Sequence, residues 1–354
     1  MEVRDVTLVM VGDIFVQQEN PSSVFRHVDH LLRKADIALG NQEVSLSAKN
    51  TPMIPGRNIL RSDSEMVQAL TSAGFNVVGL ANNHSMDCGI EGIMETIEVL
   101  DQAKIAHAGA GADIKEAHKP AVIECNGTKV AFLAYSSVFI PDVFPAQEDR
   151  PGIATVKLYT SYLPHRRVFE APASPATAIA IPEQGDLRRL QWDIANARAK
   201  ADIVVVSWHW GLSEGYGNVV DYQREMGKFA LNAGANIVVG HHPHVLQGVE
   251  VYKGMAIFYS LGNFSFHEQS ANAGKESVII HCQIKDKKIH GISFLPIFIN
   301  ERDEPEVASG KKGKEIFQLM KQLSAPFGTT MEYDNGEVTI GNVSLHGKSR
   351  TNKR

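Results

Sequence analysis

Short runs of β-branched and apolar residues alternate along the chain with longer segments whose apolar positions recur at helical spacing. That alternation predicts parallel strands joined by helical crossovers, an α/β fold. Strands are expected at Val6 to Gly12, Ile37 to Asn41, Val77 to Ala81, Ile203 to Trp208 and Ile237 to Gly240. Helices are expected near Ser22 to Lys34, Ser62 to Ala73 and Gly89 to Ala103, with Ser62 and Ser64 near the start of the second and Gly74 placed to stop it. A second, antiparallel kind of sheet follows. Pro120 to Cys125 and Lys129 to Tyr135 flank Asn126-Gly127, a strong hairpin signal because both residues tolerate positive φ. Similar material recurs at Val249 to Tyr252, Ala256 to Ser260, Ser277 to Ile284 and Ile289 to Phe294, with turn residues at Lys253-Gly254 and Asp286-Lys287.

Two regions break the pattern. Pro141 to Gly185 is rich in Pro and Ala and follows neither period, so it is expected to be an insertion in a domain spanning 1–300, either a lid over a site or irregular chain. Residues 301–354 open polar and charged, then offer a short helix at Lys314 to Leu323 and a hairpin at Asp334-Asn335-Gly336. They read as a C-terminal appendage, packed on the domain or partly flexible.

The chemistry sits where the apolar runs end. Asp13 follows the first run, Asn41 and Glu43 the second, Asn82-Asn83-His84 the third, His209 another, and His241-His242-Pro243-His244 the next. Open α/β sheets bind ligands at the carboxyl ends of their strands, so a parallel arrangement collects carboxylates, carboxamides and imidazoles in one region. Each element alone has a plainer reading: Gly-Asp is common turn chemistry, and His209 between two tryptophans suits a core histidine. Three histidines in four residues around a proline do not suit core packing. Oxygen and imidazole donors without thiolate favour a borderline to hard divalent ion, Mn, Fe or Zn, one or two per site, and a metal-free site is the alternative.

Composition narrows the class. The chain has 354 residues, 44% hydrophobic and 21% charged, as in a globular protein. A net charge of -5 supplies no basic field for nucleic acid, and the dense Lys/Arg stretch is confined to the closing GKSRTNKR. Three scattered cysteines exclude a disulfide framework and suit a reducing compartment. The N-terminal apolar run is too short for a signal core or a membrane span, so the chain reads as cytoplasmic. The expected partner is a small-molecule or peptide substrate, with homo-oligomerisation left open.

The blocks VGD at Val11 to Asp13, N-x-E at Asn41 to Glu43, GLANNHSMDCG at Gly79 to Gly89, HWG at His209 to Gly211 and NIVVGHHPHVLQGVEVYKGMAIFYSLGNFSF at Asn236 to Phe266 carry a resemblance. With them the sequence resembles the CapA-type family, named for poly-γ-glutamate capsule synthesis, which shares the calcineurin-like metallophosphoesterase scaffold. The resemblance implies a four-layer α/β/β/α sandwich with mixed sheets. It implies metal ligands at Asp13, Glu43, Asn83, His209, His242 and His244, with Glu43 at the bridging position and His241 as an alternative ligand or substrate contact. Asp13 and His84 take the catalytic positions, His84 as the group that protonates a leaving group or steadies an oxyanion. Trp210 is expected on a substrate pocket wall, and Asn263, in YSLGN, at the substrate or behind a ligand. One departure stands out: metallophosphoesterases begin with D-x-H, whereas Ile14 and Phe15 follow Asp13. The implied function is a metal-dependent hydrolase of a phosphoester, amide or related bond. Two alternatives are a metal-independent epimerase or lyase using Asp13 and a histidine of His241 to His244, and a non-catalytic component of polymer assembly.

Overall fold

The computed structural model describes residues 5–56, 58–213, 215–267 and 273–343. It is a mixed α/β structure with two large mixed sheets. Val6–Phe15 lies inside a ten-stranded sheet, antiparallel to Glu276–Lys285 and parallel to Ile37–Gln42. Val77–Gly79 and Ala106–Ala108 continue in parallel beyond Ile37–Gln42. On the other flank Lys288–Ile299, Glu337–Ile340 and Met331–Asp334 continue antiparallel. The far end of Val6–Phe15 also takes Asn263–Phe266 as a parallel neighbour, in register from Asp13. The six-stranded sheet runs Val249–Tyr252, Met255–Phe258, Ile237–His241, Ile203–His209, Thr128–Ser136, Ala121–Cys125; its four central strands are mutually parallel.

Side chains alternate across these strands with period two, and each face finds its own cover. Leu8, Met10, Ile37 and Leu39 share one buried cluster with Phe132, Val205, Val239 and Phe258 of the other sheet. The opposite face of the ten-stranded sheet sets Val9, Val11 and Ala38 against Leu32, Leu70 and Ile93 of helices Asp29–Lys34, Val67–Ala73 and Gly89–Gln102. Leu133, Val206 and Trp208 likewise meet Leu190, Ile194, Met226 and Ala230 of helices Gln184–Lys200 and Asp221–Ala233. Each such aliphatic side chain contributes about 1.5–3 kcal/mol on burial, so the parallel strands are held rigidly from both faces.

The hairpins form where the turn residues accept positive φ: Asn126 and Gly127 sit at 50° and 78°, Asn335 and Gly336 at 48° and 94°. Gly74, at φ 88°, ends the Val67–Ala73 helix. Two helices are shorter than the sequence suggests. The first starts at Asp29, after a separate 3₁₀ turn at Pro21–Ser23, and the second at Val67, after one at Ser64–Met66.

Within 141–185 the structure holds an antiparallel hairpin, Leu158–Leu163 with Thr177–Pro182, that periodicity does not reveal. Its strands bury little: Tyr162 is 68% exposed and Phe169, beyond the strand, 97%. With no buried face there is no alternation to read. After residue 300 the chain forms helix Gly310–Ser324 and the last hairpin, whose Glu337–Ile340 strand joins the ten-stranded sheet. Ile316, Phe317 and Met320 of that helix enter the cluster between the sheets. The basic closing stretch lies outside the described residues. Among the described residues no helix is long and apolar enough to cross a membrane.

Candidate metal centre

Parallel strands finish at a common edge, and the polar residues at their ends meet there. Asp13 sits at a break in register between Val6–Phe15 and its parallel neighbour Asn263–Phe266. Glu43 follows Ile37–Gln42 immediately, and its amide donates to Ile14 O (3.0 Å). Ile203–His209 sends Trp208 into the helix-side core, so His209, one residue on, points to the opposite face. The chain then reverses after Ile237–His241 with His242 at φ 95° and His244 at φ 57°. Two non-glycine residues at positive φ in one turn is an unusual, strained backbone of the sort concentrated at functional sites. The strain is offset in part because the His242 amide donates to Asp13 Oδ2 (3.2 Å).

Asp13, Glu43, His209 and His241 are buried. One ligand atom from each of Asp13, Glu43 and His244 lies within 4.8 Å of the other two. His244 Nε2 is 3.6 Å from Glu43 Oε1 and its Nδ1 3.6 Å from Asp13 Oδ2, while His209 Nε2 is 3.7 Å from Glu43 Oε1. His209 Nε2 also lies 2.7 Å from the Asn83 carboxamide oxygen. His241 Nδ1 comes within 2.9 Å of Asp13 Oδ1, though without hydrogen-bond geometry. The rings of His242 and His209 are 4.9 Å apart. His84 lies at the rim, its Nδ1 2.7 Å from Asp87 Oδ2, a contact that leaves Nε2 as the free end of the ring.

The electrostatics divide the two carboxylates. Burial works against the charge of Asp13, but His241, His244 and the His242 amide outweigh it and hold the carboxyl below its ordinary value. Burial pushes Glu43 well above the ordinary value, and the Asp13 and Asp87 carboxylates push the same way. Burial and the surrounding histidines lower His209 well below an ordinary imidazole, and burial with His244 pushes His242 down to about 3. Neutral imidazoles around one ionised carboxylate form a metal-ready donor set. Among the described residues neither Glu43 oxygen has a hydrogen-bond partner, and His209 Nδ1 and His242 Nδ1 also lack one. Buried polar atoms without partners are costly, and the Glu43 oxygens, one of them 3.7 Å from His209 Nε2 and 3.6 Å from His244 Nε2, are where a completing group would sit.

Residues 7–268 match the family described as bacterial capsule synthesis protein PGA_cap. The chain belongs to this family. The capsule biosynthesis protein CapA of Bacillus anthracis is 33% identical over 336 residues, covering 91% of this chain and 75% of that one. The PGA biosynthesis protein CapA of Bacillus subtilis (strain 168) is 29% identical over 340 residues, covering 96% and 80%. Among solved structures, NAD nucleotidase of Haemophilus influenzae aligns with a TM-score of 0.40 and 12% identity over 90% of this chain and 56% of that one, too distant for anything to be carried across. The PGA_cap family itself falls in the metallophosphoesterase-like superfamily.

Within this PGA_cap chain two expected contacts take different places. Trp210 is not at the site: it is fully buried, stacks on Trp208 at 5.0 Å and donates its indole N–H to Tyr259 O (2.9 Å), because it shares Trp208's face of the strand. Asn263 is buried behind His244, with its oxygen 2.8 Å from His244 Nδ1, so it touches a candidate ligand and not open space. At the position where the resemblance to metallophosphoesterases implies the histidine of D-x-H, Phe15 packs edge-on against Phe266 at 5.4 Å and closes that side with apolar surface. Sequence reasoning did not assign two members of the site. Asn41 donates to Asp13 Oδ1 (2.9 Å) and Asp87 anchors His84. The i,i+3 spacing of His84 and Asp87 is the signal that was available.

Proposed function

We propose that this PGA_cap protein is a metal-dependent hydrolase whose ion is held by Asp13, Glu43, Asn83, His209, His242 and His244. The observation that carries the reading is Glu43: a fully buried carboxyl group, without a hydrogen-bond partner among the described residues, facing Asp13 and two imidazoles. A proton alone satisfies one oxygen, whereas the donor set around it suits Mn, Fe or Zn. A bound ion of this kind supplies Lewis-acid polarisation of the substrate and activation of water near neutral pH.

The protein's own groups divide the remaining work. Asp13 stays ionised and, through the His242 amide and Asn41, fixes the histidine turn relative to the central strand. Asp87 holds the His84 ring through Nδ1, so His84 Nε2 is placed to give a proton to the departing oxygen or nitrogen. Phe15 and Phe266 keep water off one side. The bond cleaved is a phosphoester, an amide or a related bond of a small or peptide-like substrate; the capsule and PGA biosynthesis named for the Bacillus relatives favours a γ-glutamyl amide. We read the two sheets and their outer helices as the four-layer α/β/β/α sandwich of the superfamily, a reading supported by the three separate buried clusters. Cytoplasmic placement belongs to the same proposal, and cell fractionation tests it.

The experiment is hydrolysis of an aryl phosphate ester and a γ-glutamyl anilide by protein as purified, after exhaustive chelation, and after reloading with Mn, Fe or Zn. Activity that disappears with the chelator and returns with one of these ions supports the proposal. Turnover that survives chelation, or none with any ion, overturns it. The metal-free alternative draws on the close approach of His241 to Asp13, and turnover that survives exhaustive chelation is the result that favours it.

A further inference from the structure

A cleft of about 900 Å³ opens at the other end of the parallel strands. Lys129 stands at the start of Thr128–Ser136, Asp202 just before Ile203–His209 and Asn236 just before Ile237–His241, so these strands run from the cleft towards the candidate metal centre. Along Ile203–His209 that separation is roughly 20 Å, at ~3.3 Å per residue. The opposite wall comes from the ten-stranded sheet, through Asp286, Lys287, Lys288 and Ile289. The turn there is fixed by Asp286 and Lys287 at φ 48° and 63° and tied across the cleft by Lys287 Nζ at 3.4 Å from Asp202 Oδ2.

The charge lining this cleft is lopsided. Lys129, Arg198, Lys200, Lys253, Lys287 and Lys288 face it, against Asp202 and Asp286, in a chain whose net charge is -5. Some of these cations are committed: Arg198 donates to the carbonyls of Ala201 and Asp202, Lys253 to Asn232, and Lys129 lies near Glu124. Lys200 and Lys288 have no ionic or hydrogen-bonding partner among the described residues. Like charges gathered around one concavity repel each other, and a concave wall focuses their field. Five of the six are lysines, point charges without a planar fork, so the wall selects by charge number more than by the geometry of one acid group.

We propose that this cleft is a second binding site, distinct from the metal centre, for a compact ligand carrying several negative charges. Phosphate and carboxylate share that chemistry, and the test separates them. Calorimetric titration of the full chain, stripped of metal by chelation and then dialysed free of the chelator, with tripolyphosphate in one arm and tetraglutamate in the other, keeps the metal centre out of the readout. Binding of at least one probe is expected, weakening more than ten-fold between about 0.05 and 0.5 M salt as the screening length contracts to a few ångströms. The double variant Lys200→Glu/Lys288→Glu should weaken it at least ten-fold. Lys311→Glu/Lys314→Glu, on helix Gly310–Ser324, should leave it unchanged. Both cleft lysines are exposed, so the fold should survive; the milder pair Lys200→Gln/Lys288→Gln gives the same ordering should the reversal fail to fold. Tripolyphosphate binding alone assigns a phosphorylated ligand, and tetraglutamate binding alone a polycarboxylate. Failure of both probes, or equal binding by the cleft and control variants, overturns the proposal.

Discussion

Replacing Glu43 with Gln should make the metal-free protein more stable and the metal-loaded protein unattainable. Burial, with Asp13 and Asp87 nearby, raises the Glu43 carboxyl well above its ordinary value of 4.5. Below that value the folded and unfolded chains both hold the proton, and the group is neutral to stability. As pH rises past it, the unfolded chain releases the proton while the fold retains it. Stability then falls by about 1.4 kcal/mol per pH unit until the folded group ionises too. Gln has nearly the same shape and never ionises, so the chelated variant should match the wild type near pH 4.5 and exceed it at pH 6 by up to about 2 kcal/mol. Urea denaturation of chelated protein at several pH values measures this directly. Calorimetry in buffers of different ionisation enthalpy gives the companion result: an ion entering the wild-type site should release the Glu43 proton, and affinity should climb with pH, whereas the variant should show neither. A chelated variant less stable than wild type at pH 6, together with unchanged metal affinity, would refute the reasoning.

Three further outcomes follow from the same geometry. His84→Gln should lower kcat by about 10²-fold or more and Asp87→Asn by roughly 10-fold, with metal content by elemental analysis unchanged, since a general acid and its anchor act only in the chemical step. Asn263→Ala should weaken metal binding by about 10–100-fold in calorimetry, because His244 Nδ1 loses the oxygen that orients the ring. For His209 and His242 the sign is opposite to that of Glu43: both stay neutral in the fold, so metal-free stability is complete above about 6.5 and is lost as pH falls, while the unfolded chain takes up protons that the fold refuses. His242→Asn should flatten that acid limb in a denaturation series.

The apolar runs are legible because they are buried on both faces, and their polar endings mark the site edge for the same reason: a strand that leaves the core must change character. His209 between Trp208 and Trp210 shows what alternation adds, since a period of two places the histidine opposite both tryptophans. Applied to Trp210, that rule would have kept it in the core. The role of Asn263 depends on a parallel pairing with Asp13 across 250 positions of sequence, which no local pattern encodes. The turn from His241 to His244 was equally hidden. Backbone at positive φ, not spacing alone, decides that the His242 amide, and not only its ring, reaches Asp13. The Leu158–Leu163 hairpin carries no alternation in the sequence because it has no buried face.

The most direct test is elemental analysis of protein purified without a histidine tag, beside an Asp13→Asn/His244→Ala variant shown to be folded by circular dichroism. The account predicts one or two equivalents of Mn, Fe or Zn per chain in the wild type and loss of nearly all of it in the variant. Wild-type protein that takes up none of these ions on reloading, or a variant that holds as much as the wild type, would contradict it.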